Sequence, residues 1–334
     1  MHSFIKFLYL FIFTMFLSGF QYSNINASGQ KISTNHSIFQ VLKWKLTEPK
    51  PQAWPKFVEV KQIPKNEIIE RSKTLKISYI THSTFLIQIN NVNIITDPIL
   101  FSGIGLFERF FKIDMIHKPG IAPENLPPID YVLISHNHYD HMDIKSIKFL
   151  AEKFNPTFVM GKGNYGYIKK ITNKFVELNW NEKFDAGSVE IHFLRAKHWS
   201  KRGLFDTNKA LWGAFAIVSR YDDKKIYFAG DTAHFDHFSE AGKKFNGFDV
   251  ALLPIGAYKP NWFMKESHIN PFEAVLAHKE LQAKVSIPMH YQSVQLSDEQ
   301  YGQPIHDLKT ALKENNLTKE AFQIVNIGEF YEEK

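Results

Sequence analysis

Ser135-His136-Asn137-His138-Tyr139-Asp140-His141 follows directly on the apolar run Tyr131–Ser135. Three imidazoles and a carboxylate thus fall within six residues at the end of a strand that reads as buried on both faces. Alternate residues at a strand end face the same way, so His136 and His138 can converge on one ion. The backbone then turns, which lets Asp140 and His141 address a second. Imidazole and carboxylate suit zinc, and open zinc sites keep a position for water. The rival reading is a polar turn with solvated histidines. Two histidines alone would leave that rival strong; this density does not.

Two ions need further ligands, and later strand ends supply them. His198 follows the strand-like run Val189–Ala196, Asp231 ends Ile226–Asp231 within Ala229-Gly230-Asp231-Thr232, and His290 follows Val285–Met289. From His136 the successive intervals between ligands are 62, 33 and 59 residues, one or two strand–loop units each. Singly, each is as readily a structural residue; as a set on strand termini they read as ligands. Around them, short β-rich runs at Leu75–Thr81, Thr84–Asn90, Val92–Asp97, Thr157–Gly161, Gly213–Ser219 and Val250–Ile255 are predicted strands, with Asn90-Asn91 as a turn. Helical spacing marks Asp143–Phe154, with Asp143 as N-cap, and then Phe235–Phe245, Pro271–Leu281 and Ile305–Glu314. The class is α/β with much antiparallel pairing. No glycine-rich phosphate loop follows any strand.

Composition narrows the chemistry. The 334 residues are 44% hydrophobic and 22% charged, which excludes general disorder, and contain no Cys. Thiolate zinc sites, iron–sulfur clusters, a cysteine nucleophile and a lipidated cysteine are therefore excluded, leaving His, Asp and Glu to hold any metal. Forty Lys+Arg against thirty-four Asp+Glu gives +6 without a dense basic run, so no nucleic-acid partner is expected.

The N-terminus reads as a targeting segment. Lys6 is followed by the uncharged stretch Phe7–Phe20, short for a membrane span, and then by small and polar residues around Ala27. Residues 1–27 are thus expected to be an export signal cleaved near Ala27 or an uncleaved N-terminal anchor. Residues 28–73, with Pro49, Pro51, Pro55 and Pro64, read as an extended arm. Residues 74–334 form the predicted catalytic domain.

The metal motif with distant His198, Asp231 and His290 resembles the metallo-β-lactamase superfamily. Within it, the chain is similar to the N-acyl-phosphatidylethanolamine-hydrolysing phospholipase D family. The matching strings include Thr96-Asp97-Pro98-Ile99, His198-Trp199, Lys201-Arg202, Leu211-Trp212-Gly213, Gly230-Asp231-Thr232, Ile255-Gly256-Ala257-Tyr258, Trp262-Phe263-Met264-Lys265 and His268. The resemblance runs from about Leu75 to Phe330. Two positions depart from the family pattern: Ala233-His234 stands where Gly-Tyr is usual, and Tyr291 where Trp is usual. Both are expected to line the substrate cavity and so to bear on the choice of lipid.

The resemblance implies a four-layer αββα sandwich and two Zn²⁺ per chain. His136, His138 and His198 would hold one ion, Asp140, His141 and His290 the other, and Asp231 would bridge them. Asp140 and His268 would act in catalysis, His268 by contacting the phosphate or protonating the leaving group. His82 and Asp97 would orient ligands from behind. The implied reaction is hydrolysis of the distal phosphodiester of N-acyl-phosphatidylethanolamine by a metal-activated hydroxide, giving phosphatidic acid and an N-acylethanolamine. No His begins a His-x-Lys-x-x-x-x-Asp string, so the nucleophilic phospholipase D mechanism is not indicated.

Partners follow from that reading: a phospholipid substrate, a membrane surface and a homodimer, in a periplasmic or membrane-associated location. Phe101, Ile104, Leu106, Phe107, Phe110 and Phe111 form an apolar cluster that would either dip into a bilayer or pack as an amphipathic helix. Tyr258, Trp262 and Phe263 are further candidate substrate contacts. The alternatives are another hydrolase of the fold (lactonase, β-lactamase or nuclease-like) and a non-enzymatic envelope protein. A nuclease would show basic patches, and a binding protein would lack a ligand; all seven ligands are present.

Overall fold

Asn90 and Asn91 both take left-handed φ, 51° and 62°, which closes a tight hairpin between β2 (Thr84–Ile89) and β3 (Val92–Thr96). That hairpin lies near the middle of a seven-stranded sheet in a computed structural model that describes residues 22–25, 31–32, 38–49, 51–101, 103–105 and 113–333. β1 (Lys76–Thr81) pairs antiparallel with β2, and the C-terminal β13 (Phe330–Glu332) pairs with the other side of β1. On the far side of β3, β4 (Tyr131–Ile134), β5 (Thr157–Gly161) and β6 (Phe175–Leu178) run parallel.

The strands of this sheet are apolar on both faces because both are covered. Ile77, Tyr79, Phe85, Ile87, Leu133 and Val159 face a second sheet, while Ile80, Leu86, Ile95, Val132, Ile134 and Phe158 face the helix α2 (Ile144–Phe154). The two-residue period thus divides each strand between two cores. Asp143 caps α2 by accepting from Ser146 N at 2.9 Å, as the spacing predicts.

The second sheet has six strands: β7 (Lys183–Asp185), β8 (Val189–Leu194), β9 (Ala214–Ser219), β10 (Lys225–Phe228), β11 (Phe248–Pro254) and β12 (Ala283–Met289). The first four pair antiparallel and the last three parallel. Its outer face carries α3 (His237–Phe245), α4 (Pro271–Glu280) and α5 (Gln303–Glu314) through Phe238, Val275 and Leu308. The result is the expected αββα order of layers.

Two expectations need correction. Within the supposed extended arm, Ile38–Thr47 is a helix, α1. It contains neither Pro nor Gly, and Trp44 stands buried on the body against Phe263, ring centroids 4.7 Å apart. Residues 51–73 run extended apart from one 3₁₀ turn at Lys65–Glu67, strapped to the body by Val58 N to Ile116 O and Ile63 N to Gly120 O. β6, β7 and β13 were not anticipated, because polar residues interrupt each. Phe107 and Phe110 lie outside the described residues. Of that cluster, Ile104 is buried with Ile99, Met115 and Val294, and Phe101 stands edge-on to Phe149.

Candidate metal centre

Six loops meet at one edge of the sandwich. His82 sits in the turn between β1 and β2, Asp97 follows β3, the His136–His141 string follows β4, and His198, Asp231 and His290 follow β8, β10 and β12. His82, Asp97 and His290 all have left-handed φ (46°, 30° and 60°), a strain that non-glycine residues keep where surrounding contacts impose it. Gly230, also left-handed, brings the Asp231 loop onto Ser135; a Cβ there would fall 2.6 Å from the Ser135 Cβ.

The side chains converge as two sets. His136 Nε2 lies 2.8 Å from His138 Nδ1, which lies 3.3 Å from His198 Nε2. In the other set, His141 Nε2 and His290 Nε2 each stand 3.5 Å from Asp140 Oδ2. Asp231 stands between the two: Oδ2 is 3.1 Å from His141 Nε2 and 4.0 Å from His198 Nε2, and Oδ1 is 3.2 Å from His290 Nε2. His268 Nδ1 is 3.8 Å from Asp231 Oδ2. Every ligand inferred from the sequence is therefore in this cluster.

The donor chemistry fits metal ions. His138 Nε2, His141 Nε2, His290 Nε2 and Asp231 Oδ1 are buried with no hydrogen-bond partner. Each such group costs about 1–3 kcal/mol if nothing answers it. Burial, and then the neighbouring imidazoles, push His136 well below its ordinary value; burial takes His138 down to about 4. Burial likewise holds His198 low, so these three offer lone pairs at neutral pH.

The second set is different. Burial opposes charge on His141 and His290, but the Asp231 and Asp140 carboxylates outweigh it, lifting His141 well above its ordinary value and His290 to about 9. Without metal, protons on these imidazoles offset the buried acids. That contribution is complete below the ordinary histidine value of 6.5 and is lost as the pH rises through about 9. Ions replace those protons. The melting temperature of metal-stripped protein should therefore fall between pH 6.5 and 9, and metal should add most stability at the alkaline end; parallel curves for the two forms would refute this.

Behind the ligands lies a supporting shell. Asp97 accepts from Ser135 N at 2.7 Å and from His141 Nδ1 at 2.7 Å. His136 Nδ1 lies 2.9 Å from Ser135 Oγ, and His198 Nδ1 donates to Ser267 O at 2.9 Å. Sequence reasoning missed the clamp between the two ligand loops: Arg202 Nη1 donates to Asn137 O and Met142 O, its guanidinium lies over the Tyr139 ring, and Tyr139 Oη donates to Arg202 O. Lys201-Arg202, quoted for the resemblance, was its one sequence signal. It also missed Asn24, whose amide pairs reciprocally with the His198 backbone.

Other candidate contacts lie elsewhere. Tyr258 Oη donates to Asp307, Phe263 is buried beneath α1, and half-buried Trp262 donates to Glu48. His234 Nε2 is 3.2 Å from Glu280 Oε2. Tyr291 is buried near Tyr79 and lines a separate cavity of about 630 Å³ with His117 and Tyr301. No metal-centre side chain lines that cavity.

The Beta-lactamase superfamily domain matches residues 93–291, and the chain belongs to that superfamily, with a metallo-hydrolase fold. It is 34% identical over 270 residues to N-acyl-phosphatidylethanolamine-hydrolyzing phospholipase D 1 of Caenorhabditis elegans, covering 76% of this chain and 75% of the nematode protein. The mitochondrial N-acyl-phosphatidylethanolamine-hydrolyzing phospholipase D of Saccharomyces cerevisiae is 34% identical over 227 residues, 66% of this chain and 48% of that protein. Among solved structures, the metallo hydrolase Igni18 of Ignicoccus hospitalis superposes with a TM-score of 0.57 at 22% identity, over 78% of this chain and 99% of its own.

Proposed function

We propose that the protein is a dizinc phosphodiesterase that cleaves the distal phosphodiester of N-acyl-phosphatidylethanolamine, releasing phosphatidic acid and an N-acylethanolamine. The observation that carries this reading is the pair of donor sets joined through Asp231, with His268 beside them, in a chain similar to enzymes named for that reaction. His136, His138 and His198 would hold one zinc, Asp140, His141 and His290 the other, with Asp231 shared; imidazole and carboxylate donors without thiolate suit that metal. When bound, the ions supply Lewis acidity and a nucleophile at neutral pH. Asp140 would also hold the attacking water and take up its proton. The bond between phosphorus and the N-acylethanolamine oxygen breaks, and that oxygen leaves with a proton. His268, among the more exposed side chains of the cluster, contacts the phosphoryl oxygen or supplies that proton.

Incubating zinc-loaded protein with N-acyl-phosphatidylethanolamine and weighing the products tests the proposal. Phosphatidic acid with N-acylethanolamine supports it; intact lipid alongside cleavage of a lactone or β-lactam overturns it. His268→Gln should keep both zincs and lose turnover by roughly 10²–10⁴-fold, the usual range for a positioned acid–base group. Full turnover would remove His268 from the mechanism.

The membrane is the proposed source of substrate. α1 holds Phe39, Leu42 and Leu46 exposed at 77%, 38% and 81%, carries Lys43 but no acid, and rests through Trp44 on the segment leading to His268. Such a face suits an anionic bilayer. The stretch Phe7–Phe20 would direct the chain to export or hold it at the membrane, and the burial of Asn24 behind His198 favours an uncleaved anchor. No helix among the described residues is long and apolar enough to cross a membrane. Phe39→Ser/Leu46→Ser should weaken binding to anionic vesicles roughly tenfold or more, given about 1.5–3 kcal/mol for each buried side chain. Unchanged co-sedimentation would remove α1 from the interface, and Phe107→Ser/Phe110→Ser tests the other apolar cluster in the same assay.

A further inference from the structure

The ligand set implied by the resemblance leaves His82 behind the centre, as an orienting residue. The structure places it inside. Its side chain is 1% exposed, and its ring centroid is 4.0 Å from that of His290 and 5.5 Å from that of His141. Donor atoms of His82, Asp140, His141 and His290 all lie within 4.8 Å of one another.

Two features separate a ligand from a support. The first is the distance to the carboxylate. His82 Nε2 is 3.4 Å from Asp140 Oδ2, against 3.5 Å for both His141 Nε2 and His290 Nε2. As a hydrogen bond the His82 contact is a long one, since a charge-assisted bond from Nε2–H would close to about 2.7–2.9 Å. Donors at about 2.0–2.1 Å from one zinc stand roughly 2.9 Å apart at right angles and roughly 3.3 Å apart at the tetrahedral angle, so all three nitrogens lie near the spacing of co-ligands to Asp140 Oδ2.

The second feature is the far side of the ring. Imidazole ligands are fixed by an oxygen at the other nitrogen. His141 Nδ1 meets Asp97, His136 Nδ1 meets Ser135 Oγ, and His198 Nδ1 meets Ser267 O. His82 repeats the pattern: Nδ1 lies 2.6 Å from Ser293 Oγ, which leaves Nε2 turned inward. The backbone is engaged too, since the His82 carbonyl accepts from His290 N at 2.9 Å and from Tyr79 Oη at 2.7 Å. His82 and His290, both left-handed, are thereby locked side by side.

From these observations we infer that His82 is a direct ligand of the second ion, held in its ligating tautomer by Ser293. The inference rests on reading the cluster as a two-ion centre, and not on the identity of the lipid. The second ion then has His82, Asp140, His141 and His290 in addition to the shared Asp231. The first keeps three imidazoles and that shared carboxylate.

Cobalt titration of the chelator-stripped, full-length protein tests this without substrate, with visible absorption following each ion. Wild-type protein should take up two Co²⁺. His82→Asn, chosen because Asn tolerates left-handed φ, should bind the first Co²⁺ normally and the second at least 100-fold more weakly, with altered band positions and intensity. Ser293→Ala keeps the imidazole and should weaken only the second ion, by roughly tenfold; it remains decisive if His82→Asn does not fold. A second Co²⁺ bound to His82→Asn with wild-type affinity and spectrum would overturn the inference, as would an unchanged second ion in Ser293→Ala. A wild-type protein that binds fewer than two ions would overturn the two-ion reading as well. Two His82-dependent ions in a protein that leaves the lipid intact would sink only the proposed substrate.

Discussion

Asp231→Ala should lower turnover by on the order of 10³-fold or more and leave the chain unable to retain two ions. The carboxylate lies between both donor sets, with Oδ2 3.1 Å from His141 Nε2 and 4.0 Å from His198 Nε2 and Oδ1 3.2 Å from His290 Nε2. Burial works to protonate Asp231, yet His141, His290 and His268 hold its carboxyl well below the usual carboxylate range. It is therefore favoured as an anion, and its removal takes away the carboxylate that meets both His141 and His290. Losing an ion that supplies several kcal/mol of transition-state stabilisation accounts for the stated factor, at 1.36 kcal/mol per tenfold. Asp231→Asn keeps the shape and loses only the charge, so its defect should be nearly as large. Metal content by elemental analysis and turnover should fall together. Two retained ions with activity within tenfold of wild type would show that Asp231 does not join the sites.

Much of this centre was legible because its ligands share a local signature. His136, His198, Asp231 and His290 each follow an apolar run with strand propensity, and such runs mark strands whatever the fold around them. The sandwich was legible for a related reason: β4 and β5 read as unbroken apolar runs because both of their faces are covered. What stayed hidden depends on partners remote in sequence. Ser293 is 211 residues from His82, and Asn24 is 174 from His198; a lone serine or asparagine carries no mark of either role. Arg202 carries no sequence mark of its role either, yet it reaches in, half-buried, to the ligand loop. The helix α1 was masked by the prolines that follow it, although Ile38–Thr47 itself contains none. The edge strands β6 and β7 were missed because half-exposed strands need no apolar run.

Asp97→Asn should separate folding from metal binding more sharply than any change to a ligand. Asp97 touches no substrate; it is fully buried and spends both oxygens on its neighbours. Oδ1 accepts from Ser135 N at 2.7 Å, and Oδ2 accepts from Ser135 Oγ at 2.5 Å and from His141 Nδ1 at 2.7 Å. Through Ser135 it also braces the residue against which Gly230 packs, so one carboxylate sets the position of two ligand loops. Asp97→Ala would leave three buried donors without an acceptor, at about 1–3 kcal/mol each, and would confuse instability with metal loss. Asp97→Asn preserves the volume and, through its Oδ1, the bond to Ser135 N. Its amide nitrogen, however, would face the Nδ1–H of His141, donor against donor. The ring relieves that conflict by moving its proton to Nε2, the atom that must be bare to bind the second ion. The variant should therefore fold, although its metal-free form should melt below wild type where His141 carries both protons. Its second-ion affinity should drop by at least the 10–100-fold typical of lost ligand support, with turnover following. Because the defect is a misplaced proton, excess zinc should restore activity in Asp97→Asn but not in Asp231→Ala. A variant that binds its second ion as tightly as wild type would mean that the Asp97–His141 contact does not set the tautomer.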